Sequence, residues 1–253
     1  MKRIALATAA VAVLAVASAG NRHATLKEKI DAARRNGFRP EGGIVVKHEE
    51  NGRVIAVRNR QSVYSASEVE EAVLQLCRAS RWSFVVADDS FPQEKVGVEV
   101  SLVDEIQGEP SCGVLAAPEN GWARMAVKRL VSDSPGAERR SRRLRLEMFR
   151  AAAMAAGLGI AMNQPCVMAP VSSLKDIDMI RMDRFSPESA NVFEGAAERI
   201  GISKVSVKGY RQACREGWAP APTNDVQKAI WDKVHQLPTE PIKIKPETKK
   251  VSQ

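Results

Sequence analysis

Imidazole and thiol side chains, the commonest zinc donors, are few in this 253-residue chain. Its three histidines are His23, His48 and His235, and its four cysteines are Cys77, Cys112, Cys166 and Cys214, with no CxxC pair among them. Zinc needs thiolate, imidazole or carboxylate donors gathered in space, and close pairs are the usual sequence sign of that gathering. The metal set that can be drawn from His48, His235 and Cys214 spans distant parts of the chain. Asp88-Asp89 follows the apolar run Phe84 to Ala87 and reads as a turn after a strand rather than a metal pair. Ser172-Ser173, with Asp176 and Asp178, offers hydroxyls and acids without a paired base, so a helix N-cap with first-turn acids explains it better than a nucleophile. Arg139, Arg140, Arg142, Arg143 and Arg145 crowd about two helical turns. They read as a solvated helix start, or as a contact for an acidic envelope polymer, an anionic lipid surface or an acidic partner.

The chain begins with Lys2-Arg3, an apolar run from Ile4 to Ala17 and the small-residue triplet Ala17-Ser18-Ala19. This is the layout of a secretory signal peptide, residues 1–19, with an apolar run too short for a comfortable membrane span. The expectation is an exported protein, periplasmic or extracellular, with no transmembrane segment after cleavage. Removing the leader's two positive charges takes the net charge from +8 to +6. Export and the lack of a binding motif or interleaved aromatics argue against a nucleic-acid partner. In an oxidising compartment the four cysteines could form two disulfides, with three pairings open.

The remaining pattern is mixed α/β. Residues 20–80 read as a helix near Thr25 to Arg35, a β-hairpin about Asn51-Gly52, and a helix from Ser67 to Arg78. Ser67 and Glu70 are spaced as a capping box, and Val69, Val73, Leu74 and Cys77 form the stripe to be buried. In residues 81–203, Phe84 to Ala87 reads as an interior strand and Val96 to Val103 as an alternating one. Cys112 to Ala117 joins Trp122 to Leu130 across Pro118 to Gly121, and a long helix follows from Ala137 to Ala156. Shorter helices are expected at Ser172 to Ile180, Pro187 to Ile200 and Asn224 to His235. Residues 204–237 therefore read as C-terminal helices, and 238–253 as a disordered basic tail rich in proline and lysine.

The segment RAAAMAAGLGIAMNQPCVM, Arg150 to Met168, runs from that long helix through glycines into a cysteine-methionine loop. In spacing it resembles the metzincin zinc peptidases, and among them the archaemetzincin branch. That family's HExxHxxGxxH motif sets two histidines one helical turn apart, turns at a glycine, brings in a third histidine, and is followed by a Met-turn. The resemblance covers roughly Arg81 to Ser203 and is most specific from Glu147 to Ser189. Gly157 matches the glycine, Cys166-Val167-Met168 the Cys-x-Met with Met168 as the Met-turn residue, and Val171 to Asp178 a further family segment. It implies a metzincin-like fold: a mixed twisted sheet, then the long former active-site helix, a Met-turn and C-terminal helices.

The family's ligands are not kept. Arg150 stands at the first histidine position, Ala151 at the catalytic glutamate, Met154 at the second histidine and Ile160 at the third. Of the four cysteines that hold the branch's second, structural zinc, Cys166 alone is matched, with Ala161, Ser186 and Ser189 at the other positions. Arginine is a fixed cation without a lone pair, alanine and isoleucine have no donor atom, and a thioether is a poor zinc ligand. The resemblance thus implies no zinc, no cofactor and no catalytic residue: an inactive, exported relative whose former cleft binds a protein or peptide or serves a structural role. The alternatives are a hydrolase or metallopeptidase using an unrecognised site, such as His48, His235 and Cys214, and a basic structural protein of the envelope. To fill the emptied cleft, Met154 and Ile160 are expected to pack on Met168 as a dry plug, with Arg150 reaching the cleft mouth or a carboxylate. Intact mass and N-terminal sequencing of the exported protein should place its first residue at Gly20; retention of Met1 to Ala19 would contradict the leader.

Overall fold

Val54–Arg60 (β2) is apolar through its first four residues, the composition of a strand covered on both faces. In the computed structural model, which describes residues 42–108, 113–162 and 165–235, β2 runs between two parallel neighbours. These are Phe84–Val86 (β3) and Val96–Val103 (β4). Trp122–Ala126 (β6) continues the sheet parallel to β4, and Val114–Ala117 (β5) closes the edge antiparallel to β6. The order is β3-β2-β4-β6-β5. The β5–β6 hairpin turns at Pro118–Asn120 and Gly121, whose φ of 67° suits glycine.

Three strand expectations change. Ile44–His48 (β1) does not fold back on β2 at Asn51-Gly52; it pairs antiparallel with Val205–Gly209 (β7) in a separate two-stranded sheet. Gly52 serves a close approach instead of a hairpin. A Cβ there would lie 2.2 Å from that of Ser203, beside the backbone bonds Arg53 N–H to Gly201 O and Ser203 N–H to Arg53 O. Phe84–Val86 is an edge strand rather than an interior one, shielded on its inner face by the helix before it. Residues 205–209, placed among C-terminal helices by the sequence pattern, are strand because β1 needs a partner.

Ala66–Ser80 (α1) makes the crossover from β2 to β3. Its capping box is Ser65 with Glu68, two residues ahead of the expected pair. That start turns Val69, Ala72, Val73, Leu76 and Cys77 onto the sheet and leaves Leu74 half-buried. Ala137–Ala155 (α2) lies beside it against β4, β5 and β6. Leu174–Met179 (α3) and Pro187–Ile200 (α4) follow the loop, and Tyr210–Arg215 (α5) with Asp225–His235 (α6) forms a small cluster with Val45. The two-disulfide expectation also fails, because Cys77, Cys166 and Cys214 are each free and buried. Burial pushes the Cys77 thiol up to about 11. No helix among the described residues is long and apolar enough to cross a membrane. The leader, Cys112, the Thr25 to Arg35 helix and the 238–253 tail lie outside the described residues.

The arginines at the start of α2 are not a solvated patch. Arg140 reaches Glu68 at 2.7 Å and lies 4.2 Å over the Tyr64 ring. Arg142 and Arg145 share Asp183, at 2.7 and 2.9 Å. Arg143, with 1% of its side chain exposed, holds both oxygens of Asp133 and of Asp178 at 2.6 to 2.9 Å and donates to Leu130 O. Of the five, Arg139 alone is exposed. Their partners come from distant segments, so the local charge count in α2 did not reveal them.

Arg143 holds the Asp133 and Asp178 carboxyls below their ordinary range by charge-assisted hydrogen bonds. Their contribution is therefore complete above the unfolded aspartate value of about 3.9 and is lost as pH falls through the lower folded values. Arg143→Ala should lower the denaturant midpoint at neutral pH, and that deficit should shrink as pH falls below about 4.

Candidate functional site

The C-terminal end of α2 stops at a glycine whose φ is +94°. Gly157 N–H bonds Met154 O and Leu158 N–H bonds Ala153 O, so the last carbonyls of the helix are capped as the chain turns. Beyond the turn, Ala161 N–H donates to Met168 O at 2.8 Å, which ties the outgoing segment to the loop. Ala169 N–H to Cys166 O closes that loop, and Val167 N–H to Arg184 O with Met182 N–H to Pro165 O pins it from the far side. Cys166, Val167 and Met168 are completely buried.

Arg150 joins the helix to this loop. Its Nε donates to Val167 O at 3.0 Å, and its Nη1 lies 3.2 Å from Oε1 of Glu147. Both side chains are buried. The guanidinium thus meets a carboxylate inside the fold, not at a cleft mouth. Burial raises the Glu147 carboxyl above its ordinary value, with the opposing fields of Arg150 and Arg129 holding it down. Arg150 Nη2 and Arg129 Nε are buried without a hydrogen-bond partner among the described residues, and Glu147 Oε1 is held by the ion pair alone.

The expected plug of Met154 and Ile160 is not formed by Ile160. Met154 is partly buried against the core, but Ile160 is 53% exposed. Ala161 is partly buried against the core and its N–H bonds Met168 O, while Ile160 and Met162 on either side of it are exposed. Ala151 is buried in the core and has no atom to exchange a proton. Ser186 and Ser189 form the N-cap of α4, with Ser186 Oγ accepting from Ser189 N–H at 3.3 Å and donating to Ser189 Oγ at 3.2 Å.

The other chemical candidates are engaged separately. Asp176 accepts from Ser172 N–H, Ser173 N–H and Ser173 Oγ as the cap of α3, and Asp178 belongs to Arg143. Asp88 accepts from Ser90 N–H and Oγ in a turn, while Asp89 pairs with Arg60. His48 Nδ1 meets Ser83 Oγ at 2.7 Å, His235 stacks on Trp231, and Cys214 is buried beside Tyr210. Among the described residues no group of three or more His, Cys, Asp or Glu could hold a metal ion. The side chains at the matched helix positions do not fit zinc, because the one polar group, Arg150, has only donors and they face Val167 O and Glu147. The Glu147 ion pair was the feature that sequence reasoning missed. Its only signal was the three-residue spacing to Arg150, which brings the two side chains together on a helix.

No protein-family model matches the chain, and no curated protein matches it. Solved structures do. The archaemetzincin of Methanopyrus kandleri matches with a TM-score of 0.46 and 15% identity, over 59% of this chain and 98% of that one. The fold resembles that of archaemetzincins. A zinc-dependent peptidase from Methanocorpusculum labreanum matches with a TM-score of 0.45 and 15% identity, over 55% of this chain and 98% of its own. The archaemetzincin of Archaeoglobus fulgidus, solved with malonate, gives 0.44 and 16%, over 54% and 99%. At these identities the likeness concerns the fold, and chemistry rests on this chain's own side chains.

Arg150→Ala would leave Glu147 buried without its nearest cation and Val167 O without its donor, and should cost about 3–5 kcal/mol at pH 7. Loss of the guanidinium raises the Glu147 carboxyl further, so the variant should become less stable as pH rises above the unfolded glutamate value of about 4.3. Replacing both partners, as in Glu147→Leu with Arg150→Met, should recover most of that loss. Denaturant melts at pH 5 and 7 measure both effects; a double variant as unstable as the single one would contradict the pairing.

Proposed function

We propose that this is an exported, catalytically inactive archaemetzincin-like protein, a pseudopeptidase with a binding or structural role. The observation that carries the reading is the buried Arg150 guanidinium, which spans from α2 to Val167 O in the position matched to a zinc-binding histidine. A hydrolytic zinc requires about three donors and an open position for water, whose pKa it lowers towards 7. Arg150, Ala151, Met154 and Ile160 supply neither those donors nor a base to accept the water's proton.

The fixed positive charge of Arg150 also opposes a dication, and its bond to the loop gives α2 a cross-link made of side-chain atoms alone. A metallopeptidase acting through His48, His235 and Cys214 gains no support, since each is held by different neighbours.

Zinc analysis and peptidase assays on the purified exported protein test the reading. Less than a tenth of an equivalent of tightly bound zinc and no hydrolysis of casein or peptide libraries are expected. The double variant Arg150→His with Met154→His should remain inactive, because the third donor and the glutamate are still lacking. About one zinc per chain in the wild type, or hydrolysis by either protein, would overturn it.

A further inference from the structure

Phe149 precedes Arg150 and points about 100° around α2 from it, into a different part of the molecule. There it joins Trp82, Phe185 and Phe193 in a cluster of buried rings. The Phe149 and Phe185 centroids are 4.2 Å apart, those of Phe185 and Phe193 5.0 Å, and Trp82 meets Phe193 edge-on at 6.0 Å. These four rings and Ala190 wall a cavity of about 440 Å³, within the range of small-molecule sites.

The mouth of this cavity is cationic. Arg81, Arg184 and Lys204 stand around it; Lys204 is paired with Glu194 and lies 4.0 Å from Glu198, so three cations face two carboxylates. Lys204 Nζ lies 5.1 Å over the Trp82 ring and 2.5 Å from Glu194, which raises the ammonium's pKa. That arrangement already shows a carboxylate seated at the rim beside an aromatic wall. Arg184 is exposed, and its guanidinium has no partner among the described residues. It presents a planar fork suited to a second carboxylate.

We propose that the cavity binds a small apolar carboxylate, with its aromatic or aliphatic body against Trp82, Phe149, Phe185 and Phe193 and its head on Arg184. The cleft is open on one side, and the exposed ring edges offer the body an apolar surface on which an aryl group can sit edge-on. The excess positive charge at the mouth selects the anionic head over its neutral amide. Arg184 also accepts from Val167 N–H through its carbonyl, but the head-binding group is its guanidinium, so the binding test reads the cleft and not the zinc question.

Calorimetric titration of the full exported protein with 4-phenylbutanoate, and with 4-phenylbutanamide as the neutral control, tests the proposal. Saturable one-to-one binding is expected, with the carboxylate at least about tenfold tighter than the amide. Arg184→Gln, at an exposed position, should remove that preference and leave amide binding unchanged. Ala190→Trp should fill the cavity and abolish binding of both, with circular dichroism checking that the fold is kept. Absence of saturable heat up to millimolar ligand, equal affinity for acid and amide, or an Arg184→Gln variant that keeps the preference would overturn it.

Discussion

A guanidinium cannot shed its proton inside a protein, so a buried arginine obliges the chain around it to bring carboxylates and carbonyl oxygens to its donors. Helix α2 meets that demand at both ends. Arg143 draws Asp133, Asp178 and Leu130 O onto its first half. Arg150 draws Val167 O and Glu147 onto its second. The loop before α3, the turn before α2 and α2 itself are thereby tied through side chains, and the sheet supplies the apolar face on which they rest. The inner clamp carries fewer hydrogen bonds than the outer one: Glu147 Oε1 is held by an ion pair alone, and Arg129 Nε and Arg150 Nη2 have no acceptor among the described residues.

Elements with a strong local signal were legible in the sequence. The Pro187–Ile200 helix, the Ala137–Ala155 helix and the turn between β5 and β6 follow from apolar periodicity, proline at a helix start and glycine at a turn. What failed was set by distant partners. Asn51-Gly52 carries a hairpin signal, but the close contact of Gly52 with Ser203 and the parallel neighbours of β2 override it. Two serine-glutamate spacings compete at the start of α1, and the burial of Val69, Ala72 and Leu76 decides for Ser65. Charge patterning failed most clearly, since the acids that neutralise Arg142, Arg143 and Arg145 lie up to 41 residues away.

The candidate site was legible in the same uneven way. Gly157, Cys166 and Met168 stand where the glycine turn and buried loop require them. The filling of the region was not, because the smaller Ala161 rather than Ile160 lies against the core. On the proposed reading, the loss of metal ligands and the gain of an arginine cross-link are one change: a side-chain cation does between helix and loop what a bound ion would otherwise have to do. The aromatic cavity beside Phe149 meets the loop only through the backbone of Arg184, whose carbonyl accepts from Val167 N–H.

The most direct measurement of that substitution is the thermal midpoint of the purified protein in a strong chelator and in excess zinc at one pH. A metal bound at a thousand times its Kd adds about 4 kcal/mol, equivalent to roughly 8–16 °C for a chain of this size. If Arg150 takes the place of an ion, the two midpoints should agree within about 1 °C. A midpoint that falls by many degrees in chelator and returns with zinc would contradict the account.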